Sequence, residues 1–289
     1  MIVQIINLQR SIERRRSYEC ILSTELSNYG NKGELNSIQL MRLDATDGLN
    51  DVIIEEFDDK QAVISNVDVC KIKNKESKLK SKTIYRIFDK NYPELQYKYC
   101  LSPDDMIIRK QSRRRHLTIG EFGCMLSHLR AINNIANRQE RYGLILEDDL
   151  QLSEHFFTKM DRLLRLAPKD FGILKLDGTS VKDLFVGNDH YSSFIFSILK
   201  YGYDKNFYNA NAEGLHGVSG ATGYIITKNC AKKIMELLKY EIINGLEGAT
   251  DILLYITLPR KYNFNDIWIV KKPIVWQSGD DSNITKMGR

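Results

Sequence analysis

Residues 118–150 read TIGEFGCMLSHLRAINNIANRQERYGLILEDDL, and two separable signals lie in them. Thr118 followed three residues later by Glu121 fits a capping box, in which hydroxyl and carboxylate each satisfy an N–H of the first helical turn, so a helix should begin there. Steps of three and four from Gly120 reach Gly123 and Cys124, then Ser127 and His128, then Ala131. One stripe of that helix is therefore small or polar, and something must approach it closely. At the far end, the apolar run Leu144-Ile145-Leu146 stops in three consecutive carboxylates, Glu147, Asp148 and Asp149, the pattern of a buried strand ending in a charged cluster.

Adjacent acids at a strand end repel one another, and keeping them together costs free energy unless a cation or several N–H donors offset it. A divalent metal is the simplest compensation. Oxygen ligands with no Cys or His beside them in sequence suit a hard ion, Mn²⁺ or Mg²⁺, shared with substrate phosphates. The plainer reading is that acids after a strand cap the next helix, whose N-terminus favours Asp and Glu. The small stripe upstream favours the ligand site.

The chain has 289 residues, 43% hydrophobic, enough for one large α/β domain spanning residues 1–289. No apolar run approaches the roughly 18–20 residues needed to cross a bilayer. The first residues, MIVQIINLQR, lack a basic region ahead of the apolar ones, so no cleaved signal is expected and the cytoplasm is the expected compartment. Five cysteines (Cys20, Cys70, Cys100, Cys124, Cys230), odd in number and never in a C-x-x-C pair, argue against a disulfide framework and against a zinc site.

The formal charge of +5 is uneven: residues 71–115 hold fourteen Lys and Arg against five acids, a local excess of nine. An anionic partner is one expectation, either phospholipid headgroups reached by peripheral contact with an anionic membrane surface or a phosphorylated glycolipid; a solvated face is the other. Nucleic acid is not expected, since no recognised nucleic-acid-binding motif accompanies the charge.

Taken in order, residues 2–8 form a β-branched first strand closed by Asn7, and residues 11–26 a basic helix with Ile12, Tyr18, Ile21, Leu22 and Leu26 roughly on one face. Residues 37–43 form a second strand running into the turn Asp44-Ala45-Thr46-Asp47-Gly48. In an open α/β sheet ligands sit beyond the carboxyl ends of the strands, which places Asn7 and Leu8 beside a nucleotide. Residues 49–115 carry a helix-like stretch near 53–67 and then the basic region, and read as an inserted or flexible segment. Beyond the central stretch come a helix over 156–166, a strand over 172–176, an aromatic-rich tract over 185–213, a strand at 223–226, helices over 228–240 and from 250, and two short strands ending at Gln277. Thr250 or Asp251 is expected to cap the 250 helix; Asp251 is alternatively a catalytic base.

These pieces, in this order, resemble glycosyltransferase family 25, the family of bacterial lipooligosaccharide galactosyltransferases. The segments that carry the resemblance are Ile6-Asn7-Leu8 with Arg14 or Arg15, Ala45-Thr46-Asp47-Gly48, Gly120-Glu121-Phe122-Gly123-Cys124 with Ser127-His128, Ile145-Leu146-Glu147-Asp148-Asp149, Gly223-Tyr224-Ile225-Ile226, Asp251, and Pro273-Ile274-Val275 with Gln277 and Ser282. The G-E-x-G-C-x-x-S-H helix followed by I-L-E-D-D is the specific part.

The resemblance implies a GT-A-like fold, a mixed nucleotide-sugar-binding sheet flanked by helices. It also implies inverting transfer of a hexose, usually galactose, from a UDP-sugar to a hydroxyl of a lipid-linked oligosaccharide, forming a β-linkage. It places Asn7, Leu8, Arg14, Asp47, Glu121, Ser127, His128, Glu147 and Asp148 around the donor, Asp149 and Gln277 at the metal, and Asp251 as the acceptor-side base with Glu213 and Glu247 in reserve. The long basic segment at 49–115 exceeds the family pattern; facing a phosphorylated core oligosaccharide on the inner face of the inner membrane would account for it. A metal-dependent phosphohydrolase or nucleotidyltransferase could use the same acids, and a non-catalytic glycan- or lipid-binding module could use the aromatic and basic surfaces alone. A glycoside hydrolase needs two carboxylates flanking a sugar, which acids on one strand end do not provide.

Overall fold

The computed structural model describes residues 1–30, 37–57, 83–101, 117–177, 198–200, 220–262, 264, 266–270 and 273–278. In chain order its main elements are β1 (Ile2–Asn7), α1 (Ile12–Tyr29), β2 (Gln39–Asp44), β3 (Val52–Glu56), β4 (Thr83–Asp89), β5 (Tyr92–Leu101), α2 (Ile119–Ala136), β6 (Tyr142–Glu147), β7 (Leu150–Leu152), α3 (Phe156–Leu166), β8 (Ile173–Lys175), β9 (Ile198–Lys200), β10 (Gly223–Thr227), α4 (Lys228–Tyr240) and β11 (Ile242–Asn244). A 3₁₀ turn (Gly245–Gly248) leads into α5 (Thr250–Ile252), a π-helical turn (Leu253–Thr257) and α6 (Leu258–Tyr262), followed by β12 (Ile267–Val270) and β13 (Val275–Gln277).

The main sheet runs β2-β1-β6-β10-β8-β12-β9. β1 is parallel to both β2 and β6, whereas β10 is antiparallel to its neighbours β6 and β8. The parallel register opposes Asn7 to Asp44 and Ile6 to Glu147, so three carboxyl strand ends reach one edge together. That is where an open α/β sheet binds ligands. β1 is buried at all six positions, Gln4 and Asn7 included, and β6 at its four middle ones, as in strands covered on both faces.

Helix α2 begins with the capping box read from the sequence: the Thr118 hydroxyl accepts the Glu121 N–H at 3.2 Å, and the Glu121 carboxylate accepts the Thr118 N–H at 2.7 Å. The helix lies on the sheet, with Gln4 Nε2 donating to the Ala131 carbonyl at 2.9 Å. Its small stripe receives the turn after β2. A Cβ at Gly123 would stand 2.7 Å from the Thr46 carbonyl oxygen and 2.9 Å from Gly48 N, and one at Gly48 would stand 2.5 Å from the Ile119 carbonyl oxygen. The close approach expected from the sequence is thus made in part by the chain's own backbone. Gly123→Ala should cost about 1–3 kcal/mol, read as a lower urea midpoint at unchanged slope, because neither neighbouring backbone atom can step aside independently.

Two expectations need correction. Val52–Glu56 is a strand, so the helix-like reading near 53–67 fails at its start; Val52, Ile53 and Ile54 are β-branched and pair antiparallel with β4. The described part of 49–115 contributes β3, β4 and β5 to a second sheet, β11-β5-β4-β3, whose fourth strand comes from later in the chain. Ile54, Tyr85, Ile87, Tyr97 and Tyr99 share one core with Phe122, Met125 and Leu129 of α2. Ile12, expected on the buried face of α1, is 55% exposed; Tyr18, Leu22 and Tyr29 are that helix's buried residues. Residues 58–82 and 102–116, with most of the basic region, the aromatic-rich tract from 185 to 213 apart from 198–200, and the expected reserve base Glu213 lie outside the described residues.

Candidate active site

A cleft opens at the shared carboxyl edge of β1, β2 and β6. It is lined by Leu8, Arg14, Cys124, Ser127, His128, Glu147, Asp148, Asp149 and Gln277, together with Ile6, Ala45, Thr46, Gly48 and Gly120. Eight of the residues singled out from the sequence therefore meet around one space. Asn7 sits immediately behind it, fully buried, donating to Asp148 Oδ2 at 2.7 Å and accepting from Arg42 Nε at 3.2 Å.

The three acids have separate surroundings. Glu147 meets a cluster on α2: His128 Nε2 lies 3.1 Å from Oε1 and the Cys124 thiol donates to the same oxygen at 3.7 Å. Burial would raise its carboxyl, but the His128 hydrogen bond and charge outweigh that and hold it below the usual range. Asp148 is bound by Asn7 and by Arg14, whose Nη1 stands 3.3 Å from Oδ1. Burial still pushes it up.

Asp149 is 7% exposed and accepts one bond, from Gln277 Nε2 at 2.9 Å on Oδ2; Oδ1 is buried with no hydrogen-bond partner among the described residues. Its carboxyl is pushed up to about 6, first by burial and then by the charge of Glu147. A buried carboxylate oxygen with no donor is costly, and a bound cation would offset that cost. The residues present thus fit a hard divalent ion: Asp149 would hold it, with Asp148 beside it and Gln277 orienting the carboxylate. Such an ion, when bound, would supply Lewis-acid stabilisation of negative charge on a leaving group.

Other expected residues hold the frame. Glu121 is engaged in the capping box and does not line the cleft. Ser127 donates to the Gly123 carbonyl at 2.7 Å and accepts the Thr46 N–H at 2.8 Å, fixing the turn after β2. Asp47 shapes that turn, accepting from Leu49 N at 3.1 Å, from Asn50 Nδ2 at 3.0 Å and from Arg10. Neither Thr250 nor Asp251 caps the helix from 250; the N-cap is Ala249, with no side-chain cap bond. Instead the buried Thr250 hydroxyl meets Cys124 Sγ at 3.6 Å, and Asp251 accepts the N–H groups of Gly220 at 3.0 Å and Ile252 at 2.9 Å.

Two groups escaped the sequence reading as partners. Tyr224 stacks on the His128 ring, centroids 5.7 Å apart, with its hydroxyl 2.9 Å from Nδ1. Lys175, 1% exposed, pairs with the fully buried Asp177. A Lys and an Asp two apart in a short strand offer no pattern that separates them from surface residues. Cys124 and His128, four apart on a helix, did carry a signal, since that spacing puts both on one face.

The family model for glycosyltransferase family 25, described as an LPS biosynthesis protein, matches residues 1–251. The chain belongs to glycosyltransferase family 25. Its mixed sheet with flanking helices is the GT-A-like arrangement expected of the family, and the matched span takes in the cleft except for Gln277. Membership makes the protein a glycosyltransferase, with a sugar donor and a glycan acceptor. No curated protein matches the chain. Among the described residues, no helix is long and apolar enough to cross a membrane.

Proposed function

We propose that this family 25 enzyme moves a hexose, galactose first among the candidates, from a UDP-sugar to a hydroxyl of a lipooligosaccharide core glycan with inversion, assisted by Mn²⁺ or Mg²⁺ held at Asp149. The observation that carries the reading is the orphaned Asp149 Oδ1 inside a cleft at the carboxyl ends of parallel strands. A nucleotide diphosphate needs both a cation and a basic side chain there, and Arg14 at the start of α1 lines the same cleft. Leu8 and the Thr46–Gly48 turn offer an apolar and backbone-lined wall for the nucleoside.

Inversion in one displacement needs a base to take the acceptor hydroxyl proton as the sugar's bond to the diphosphate breaks. Asp251 is the candidate, by its place in the family motif. Its carboxylate is already held by the Gly220 and Ile252 N–H groups, which would fix its direction when the acceptor arrives. The acceptor's lipid anchor would bring the enzyme to the cytoplasmic face of the inner membrane, with the basic residues of 71–115 turned to the anionic surface.

The test is UDP release from a panel of UDP-sugars with and without Mn²⁺, in the absence of acceptor. Metal-dependent turnover of one donor supports the reading and names the sugar. Absence of both turnover and UDP binding removes it, and turnover of nucleotides without a sugar would assign the acids to a phosphohydrolase instead.

A further inference from the structure

We infer that Cys124, His128 and Glu147 form a second metal site in the same cleft, one that takes a borderline or soft divalent cation of the Zn²⁺ type through one sulfur, one nitrogen and one oxygen. Sγ of Cys124, the ring nitrogen of His128 and a carboxylate oxygen of Glu147 all lie within 4.8 Å of one another. Glu147 Oε1 is 3.1 Å from His128 Nε2 and 3.7 Å from Cys124 Sγ. A tetrahedral Zn²⁺, about 2.0 Å from nitrogen and oxygen and about 2.3 Å from sulfur, sets its ligand atoms roughly 3.3–3.6 Å apart, so the Glu147 pairs need shifts of only a few tenths of an ångström and the Cys124 and His128 side chains must close by up to about 1 Å to seat it.

The surroundings suit ligation. Nε2 faces Glu147; with a metal on Nε2 the ring proton would sit on Nδ1, 2.9 Å from the Tyr224 hydroxyl oxygen that would accept it, the kind of outer bond that fixes the tautomer and plane of a ligating histidine. The Thr250 hydroxyl, 3.6 Å from Sγ, can donate to a thiolate. On binding, the Cys124 S–H proton leaves to solvent and an S–metal bond replaces the S–H···Oε1 contact. All three residues line the cleft, so with three protein ligands the fourth position faces the open space, as in zinc sites that hold water or substrate. Ligand softness separates this site from Asp149: thiolate with imidazole selects Zn²⁺ over Mn²⁺ or Mg²⁺, while the acid beyond it selects the hard ions. The sequence argument against zinc rested on cysteine pairs, and this site needs only one cysteine. The inference concerns metal binding and stands apart from the choice of sugar donor.

The test is titration of the chelator-stripped full chain with Co²⁺, followed by absorbance, with Zn²⁺ as competitor. One equivalent should produce the near-ultraviolet thiolate-to-cobalt band and intense tetrahedral visible bands, both erased by Zn²⁺. Cys124→Ser should lose the thiolate band and weaken Zn²⁺ binding by at least about tenfold, the scale seen even when an outer partner of a ligand is removed. His128→Gln keeps the thiol and should weaken binding similarly, which covers the case in which the serine variant does not fold. Asp149→Asn should keep the band, because a hard oxygen site gives none. No thiolate band in the wild type, or a band that survives Cys124→Ser at the same stoichiometry, overturns the inference.

Discussion

Asp149→Asn should lower sugar transfer by at least about a hundredfold and, with no divalent cation added, leave the fold more stable than the wild type at pH 7. The activity loss follows from removing a buried cleft carboxylate oxygen that has no hydrogen-bond partner among the described residues, at the place where leaving-group charge must be offset. The stability gain follows from linkage. The folded carboxyl sits at about 6, above its unfolded value near 3.9, so between those values the native state binds a proton that the unfolded state has released. Stability therefore falls as pH rises through that window. By pH 7 the cost is about 2–3 kcal/mol, at 1.36 kcal/mol per pKa unit. Asparagine has nothing to ionise and keeps the Gln277 contact geometry. Melting curves without divalent cation should show the variant above the wild type at pH 7 and level with it near pH 4. Adding Mn²⁺ should raise the wild type alone. A variant that transfers sugar within a few-fold of the wild type would remove Asp149 from the metal.

The same residue shows how much of the site could be read from sequence. That Glu147, Asp148 and Asp149 end a buried strand followed from the apolar run before them, and the capping box fixed where the facing helix starts. Which acid holds a spare oxygen did not follow. It depends on Asn7, Arg14, His128 and Gln277 arriving from four other elements, and only the parallel register of β1 with β6 decides that Asn7 reaches Asp148. The second sheet was missed for a related reason. β3 and β4 are separated in sequence by residues 57–82, and β11 joins β5 from 144 residues away, so neither pairing leaves a local period to detect. Tyr97 and Tyr99 of β5 are fully buried against α2, with Tyr99 edge-on to Phe122 at 5.2 Å.

Lys175→Met should be the most destabilising single change in the described fold, at about 3–5 kcal/mol, the cost of leaving a buried charge without its partner. Lys175 Nζ donates to Asp177 and to the Gly220 carbonyl at 2.7 Å, and lies 4.7 Å over the Tyr255 ring. Asp177, wholly buried, accepts the Thr222 N–H at 2.9 Å, and its backbone bridges to Val275. One ion pair thus ties the end of β8 to the start of β10 and to β13. Burial already raises the Asp177 carboxyl, and the Lys175 charge is the strongest influence lowering it. Without that charge the native state holds the Asp177 proton to higher pH than the unfolded chain does, so the variant's deficit should grow from pH 5 to pH 8. Lys175→Met combined with Asp177→Asn should recover much of the loss and flatten the pH dependence, since no unpaired charge is left to bury. Urea midpoints of the wild type and the two variants at both pH values decide it; a single-variant loss under about 1 kcal/mol would mean that the pair is not what fastens these strands. Gly220 links this pair to the proposed base: its carbonyl is held by Lys175 and its N–H by Asp251. Slackening the lysine should therefore also lower kcat in whatever fraction of the variant remains folded, through the base rather than through donor binding.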